Sequence, residues 1–92
     1  MKPPRVGDAL AAARALMCAS EPAWRWRLAR MIAEAGAAQG HARRHGAPHP
    51  RYGDGSLMMA ALRRGAAAEP DLSDQRFARA LVVVLEGLSP ER

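Results

Sequence analysis

His45-Gly46-Ala47-Pro48-His49-Pro50-Arg51-Tyr52-Gly53-Asp54-Gly55-Ser56 interrupts a chain that otherwise reads as alanine-rich helix, and its reading decides the fold. The stretch holds two prolines, three glycines, two histidines and the only tyrosine, so it continues neither a helix nor a strand. Proline fixes φ and removes an N–H, while glycine opens left-handed backbone. A loop over 46–55 follows, and on a helical scaffold loops are where functional groups tend to sit.

Working back from the loop, the spacing predicts the longest helix over 21–45. Ser20-Glu21-Pro22 is a strong start: a capping serine, an acid suited to the helix dipole and a proline where no N–H is needed. At ~100° per residue, Trp24, Leu28, Met31, Ile32, Ala35, Ala38 and Ala42 fall on one stripe, whose later half is all alanine. A first helix is predicted over 8–19, capped by Asp8, with Leu10, Ala13, Leu16 and Met17 at helical spacing and Val6 folding back as a staple.

Beyond the loop, Ser56 or Asp54 opens a third helix over 56–65, with Leu57, Met58, Ala61 and Leu62 as its apolar side and Arg63-Arg64-Gly65 as its stop. Glu69-Pro70 favours extended backbone in the connector. A last helix over 73–88, capped by Ser73 or Asp71, carries Phe77, Leu81, Val84, Leu85 and Leu88 at i, i+4, i+7, i+8 and i+11. The Val82-Val83-Val84 run suggests burial on more than one side, but the helical period and the lack of a partner strand exclude a strand there. The fold class is all-α: one domain over 1–92, a compact bundle of four helices with a Pro/Gly-rich central loop. Helices two and four are expected to supply the main core.

Composition bounds the function. At 92 residues and 49% hydrophobic, the chain can bury a core, and no apolar run approaches the ~18 residues of a bilayer span. The N-terminus lacks the apolar region of a secretory signal. The single Cys18 lies in an apolar pattern and reads as an inert buried thiol, so a cytoplasmic setting without membrane contact is expected. The formal charge of +5 invites a nucleic-acid reading. Yet 13 of the 14 basic residues are arginine and alanine occurs 21 times, a skew that GC-rich codons produce without selection for phosphate.

Several constellations could carry chemistry. His41 and His45 lie one helical turn apart, and His49 follows on the loop; with Glu34 or Asp54 they could ligate zinc or a similar metal. No Glu directly follows His41, so the zincin motif is absent, and histidines at a helix C-terminus commonly serve the dipole. Gly53-Asp54-Gly55-Ser56 before a helix could hold an anion but reads better as turn and cap, lacking the ending and the strand of a P-loop. No nucleophile elbow or carboxylate pair supports catalysis, so a non-enzyme with no resident cofactor is expected. Arg43, Arg44, Arg51, Arg63 and Arg64 form a candidate nucleic-acid patch, although the ten-residue break before helix three is too long for a helix-turn-helix. Trp26 lies off the apolar stripe among Arg25, Arg27 and Arg30. Either it caps the first helix or packs beneath the N-terminal segment, or it anchors a partner, as Trp and Arg do at interfaces.

The segment from His45 to Met58, with Glu69-Pro70 and the apolar last helix, resembles a group of small uncharacterised helical proteins of GC-rich alphaproteobacteria. The resemblance implies compactness and a bacterial cytoplasmic origin. The function expected is that of an adaptor or regulator binding a protein partner through Trp26, Arg25, Arg30, Arg51 and Tyr52. Nucleic-acid binding by the arginine patch and metal binding by His41, His45 and His49 are the alternatives. Self-association through the alanine stripe of the second helix is a further expectation.

Overall fold

The first helix begins before Asp8. In the computed structural model, which describes residues 1–89, α1 spans Val6–Leu16, with Arg5 at the N-cap and Asp8 at the third helical position. The Asp8 carboxylate reaches back to accept the Arg5 backbone N–H at 2.8 Å. This is one half of a capping box, and it explains why Asp8 is not itself the cap. Val6 therefore lies inside the helix and is exposed, so no staple forms.

The second Asp8 oxygen accepts the N–H of Met58, also at 2.8 Å. Met58 stands in the first turn of α3, Leu57–Arg64, whose N-cap Ser56 accepts the N–H of Met59. One side chain thus satisfies orphan donors at the start of two helices fifty residues apart in sequence. At 9% exposure Asp8 is the only buried charged residue among those described.

After α1, a 3-10 turn over Glu21–Ala23 leads into α2, Trp24–His45. α2 ends at Gly46, in the left-handed conformation at φ 68°. α4 spans Gln75–Leu88 and is capped by Asp74, which accepts the Phe77 N–H; neither Ser73 nor Asp71 serves there. No strand occurs among the described residues, only an isolated bridge between His49 and Gly53. The radius of gyration of 12.8 Å is close to the ~12 Å of a compact chain of this length.

The core is organised around α1 rather than around α2 and α4. Ala9, Ala11, Ala12, Ala13, Ala15 and Leu16 are all buried, and α1 packs against each of the other three helices, most extensively α3 and α4. Alanine carries no side chain to hold neighbours apart, so three helices can close on one. The gain comes from dense packing more than from area per residue. Reading the apolar face from large residues alone misplaces it, because Leu10 is exposed and Met17 only half-buried. The α2 stripe is placed as expected: Trp24, Leu28, Met31, Ala35 and Ala38 are buried against the chain's own core. α4 is peripheral and buries a single face, Phe77, Ala80 and Val84, leaving Val82 and Leu85 exposed.

The C-terminal end of α1 is dressed by cations from elsewhere. Arg27 Nε donates to Ala15 O, Arg76 donates to Met17 O and Ala19 O, and Trp24 Nε1 donates to Ala19 O. Arg76 also lies over the Trp24 ring at 5.2 Å. Positive groups at a helix C-terminus satisfy orphan carbonyls and complement the dipole. Part of the arginine excess is therefore structural. Cys18 is exposed, contrary to its apolar sequence context, because the helix ends just before it.

Asp8→Ala should destabilise the fold by about 2 kcal/mol, since it leaves two part-buried N–H groups at helix starts without a charged acceptor. Asp8→Asn, which keeps one acceptor oxygen, should lose less; urea denaturation of the three proteins checks the order.

Candidate functional site: the outer face of α2 and the central loop

The loop is a stiff structure with few degrees of freedom. His49 and Gly53 exchange backbone hydrogen bonds at 2.8 and 3.1 Å. Inside that closed turn the His49 Nδ1 accepts the N–H groups of Arg51 and Tyr52. Asp54 accepts the Ser56 N–H, and that bond is the main reason its carboxyl is held below the ordinary carboxylate value. Gly55, at φ +96°, lies so close to α2 that a Cβ there would meet the Gln39 backbone at 3.0 Å. Lys2 closes the arrangement, donating its N–H to Gly55 O at 2.9 Å and placing its ammonium 3.5 Å from Asp54. Asp54 and Ser56 are thus occupied by turn and cap, as the structural reading of Gly53–Ser56 expects.

With the loop fixed, Tyr52 stands beside the outer face of α2. A shallow trough of about 260 Å³ is lined by Arg30, Ala33, Glu34, Ala37 and Tyr52. Trp26 lies one helical turn before Arg30 on that face and is 63% exposed, with the Arg30 guanidinium 5.7 Å from its ring centre. At the loop end, Arg51 lies 5.8 Å from the Tyr52 ring. Two arginine–aromatic pairs therefore frame one trough floored by alanine. Its acid, Glu34, is held by Arg64 in a two-pronged, largely buried ion pair at 2.7 and 3.0 Å. The unengaged charge at the two ends is positive.

Not every expected member joins this face. Arg25 pairs with Glu86 of α4 at 3.2 Å, and Arg27 turns inward to Ala15 O and Arg64 O. Capping the first helix falls to Trp24, not to Trp26. The arginine patch is also divided: Arg43 and Arg44 are exposed at the end of α2, but Arg63 donates to Pro50 O and Arg64 belongs to Glu34.

His41, His45 and His49 do come together. The His41 ring centre is 4.4 Å from that of His45 and 4.9 Å from that of His49, which in turn stacks on Tyr52 at 4.7 Å. Among the described residues, however, no group of three or more His, Cys, Asp or Glu side chains is arranged to hold a metal ion. Of the other candidate ligands, Glu34 is held by Arg64, and Asp54 by Ser56 and Lys2. The rings pack as an aromatic cluster, tilted and edge-on among the histidines, whose last member His49 stacks on Tyr52. Partial desolvation lowers the His41 pKa below its ordinary 6.5, and the neighbouring charges of His45, His49 and Arg44 push the same way. Among the described residues, no helix is long and apolar enough to cross a membrane.

Comparison with known sequences adds a family. The chain belongs to the DUF7742 family. The matching model, a domain of unknown function, covers residues 2–88 and so spans the loop and all four helices. Neither a curated protein nor a solved structure matches the chain.

A lowered His41 pKa means that the folded state binds fewer protons than the unfolded chain below about 6.5. Stability should therefore be steady above that pH and fall as the solution is acidified through it. Proton NMR titration of the imidazoles, with thermal melts at matching pH, checks both the midpoint and the sign. The His41→Gln variant should flatten the part of the melt profile assigned to this ring.

Proposed function

We propose that this protein is a non-enzymatic adaptor or regulator that binds a protein partner through the outer face of α2 and the tip of the central loop. The reading rests on one observation above all: Trp26 is 63% exposed with Arg30 over its ring, and Arg30 lines a trough together with Tyr52, which has Arg51 beside it. An exposed tryptophan gains nothing for a monomer, and Trp, Tyr and Arg are the residues that concentrate binding energy at interfaces. Ala33 and Ala37 give a floor that a partner backbone or helix can approach closely. The face is also pre-organised, because the ring stack and the closed turn fix Tyr52 before any partner arrives.

The chemistry of the trough favours a partner segment that brings carboxylates toward Arg30 and Arg51 and an apolar side chain toward Trp26. Nucleic acid is less well served, since Arg64 of the expected patch is charge-paired with Glu34.

Partner capture from nuclease-treated cytoplasm of the source cell, washed at graded salt, tests the reading. Trp26→Ala should weaken retention by roughly 30-fold, about 2 kcal/mol, and Tyr52→Ala by a comparable factor. The Trp26 variant should melt within about 0.5 kcal/mol of wild type, as expected of an exposed position. Retention indifferent to both substitutions, or lost on nuclease treatment, would refute it.

A further inference from the structure

A second surface lies elsewhere on the molecule and shares no residue with the α2 trough. Between α1, α3 and the connector to α4 is an apolar groove of about 480 Å³, walled by Leu10, Met58 and Leu62 and floored by the buried Ala11 and Phe77. Its walls are fixed: Ala67 N–H donates to Arg14 O at 3.0 Å, and Arg14 Nε donates back to Ala67 O at 2.8 Å. The connector is thereby pinned to α1. At the rim stands Leu72, 89% exposed.

Leu72 does not dangle. Asp71 accepts both the N–H and the hydroxyl of Ser73 at 2.9 Å, and the Asp74 N–H closes the turn on Asp71 O at 3.0 Å. The turn holds a large apolar side chain outward at its tip, beside an empty apolar groove. A knob and a hole of matching chemistry on one surface are self-complementary. Under two-fold symmetry each copy can supply the knob for the other's hole, and the contact closes as a pair instead of growing into a fibre. The rim carries one base and one acid, Arg14 and Glu69, so a two-fold contact that sets Arg14 of one copy opposite Glu69 of the other joins unlike charges twice. Val6, exposed one helical turn before Leu10, extends the apolar surface beside the groove.

We propose that this groove is a homodimer interface, in which Leu72 of each copy enters the α1–α3 groove of the other. The α2 alanine stripe has no part in it, since Ala35 and Ala38 are already buried within the chain. The interface is small and its affinity micromolar, at the low end for specific contacts. The dimer presents two copies of the α2 face, so a partner with two matching segments gains from bivalency.

Sedimentation equilibrium of the full chain from about 1 to 300 μM, in roughly 0.5 M salt to screen surface charge, provides the test. The weight-average mass should rise from the monomer's 9.9 kDa toward twice that value. Leu72→Asp should weaken association at least ~30-fold, with an unchanged circular dichroism spectrum and melting temperature, since the side chain is 89% exposed in the monomer. Trp26→Ala should leave the mass curve untouched, which separates this proposal from the partner reading of the α2 face. A wild type that stays at 9.9 kDa throughout would overturn it and leave the groove to another protein or an apolar ligand. So would a Leu72→Asp variant that dimerises as wild type does, or a Trp26→Ala variant that does not dimerise at all.

Discussion

The arrangement of helices depends first on the Asp8 carboxylate. Its two oxygens accept one backbone N–H from the start of α1 and one from the start of α3. Both groups would otherwise be orphan donors, and both helix ends direct their positive pole at the acid. A buried charge is costly unless its hydrogen bonds are made, and here each oxygen has one. That pins the end of the central loop to the beginning of the chain. With Lys2 held against Gly55 and Asp54, the N-terminal segment becomes a clamp on the loop.

The second constraint is the size of alanine. Because α1 is buried through alanines, the other helices approach it closely from several sides, and the larger apolar residues are left to the outer helices. Leu10, Met58, Leu62 and Leu72 then have no core position to fill and form a groove and its rim. Trp26 is left outside for a related reason. The α2 stripe already turns Trp24 inward, and a residue two positions further along a helix faces about 200° away. The two candidate surfaces are what remains when the alanines of α1 and a few large residues from each helix have filled a small core.

The arginines divide into structural and free groups. Arg14, Arg27, Arg63 and Arg76 donate to backbone carbonyls from distant parts of the chain. Arg25, Arg64 and Arg79 pair with Glu86, Glu34 and Glu21. Exposed pairs of this kind contribute little to stability, whereas the Arg64–Glu34 pair, bidentate and largely buried, joins α3 to α2 with defined geometry. The high positive charge is thus in large part a set of caps and clamps; among the described residues, Arg30, Arg43, Arg44 and Arg51 around the α2 face and the loop are exposed with neither an ion pair nor a backbone carbonyl as partner.

The sequence by itself determined that the chain is all-α, with four helices broken near residue 20, at the Pro/Gly loop and at the connector. It determined the α2 stripe as well, because periodicity, prolines and helix-ending glycines are local and act wherever the chain sits. It also named Trp26, Arg25, Arg30, Arg51 and Tyr52 as candidates for a partner surface, while leaving a capping or packing role open for Trp26. Tertiary structure decided which helix is central, since alanine is silent in a hydrophobic pattern and declares itself only when neighbours close on it. It decided that Asp8 serves two helices, that Asp74 caps α4, and that Arg25, Arg63 and Arg64 are engaged elsewhere. It gathered three histidines into a cluster in which His49 stacks on Tyr52, where spacing alone offered a metal site as an alternative. The reason is the same in each case: a side chain's partner across tens of residues follows from packing, and sequence spacing reports only its neighbours along the chain.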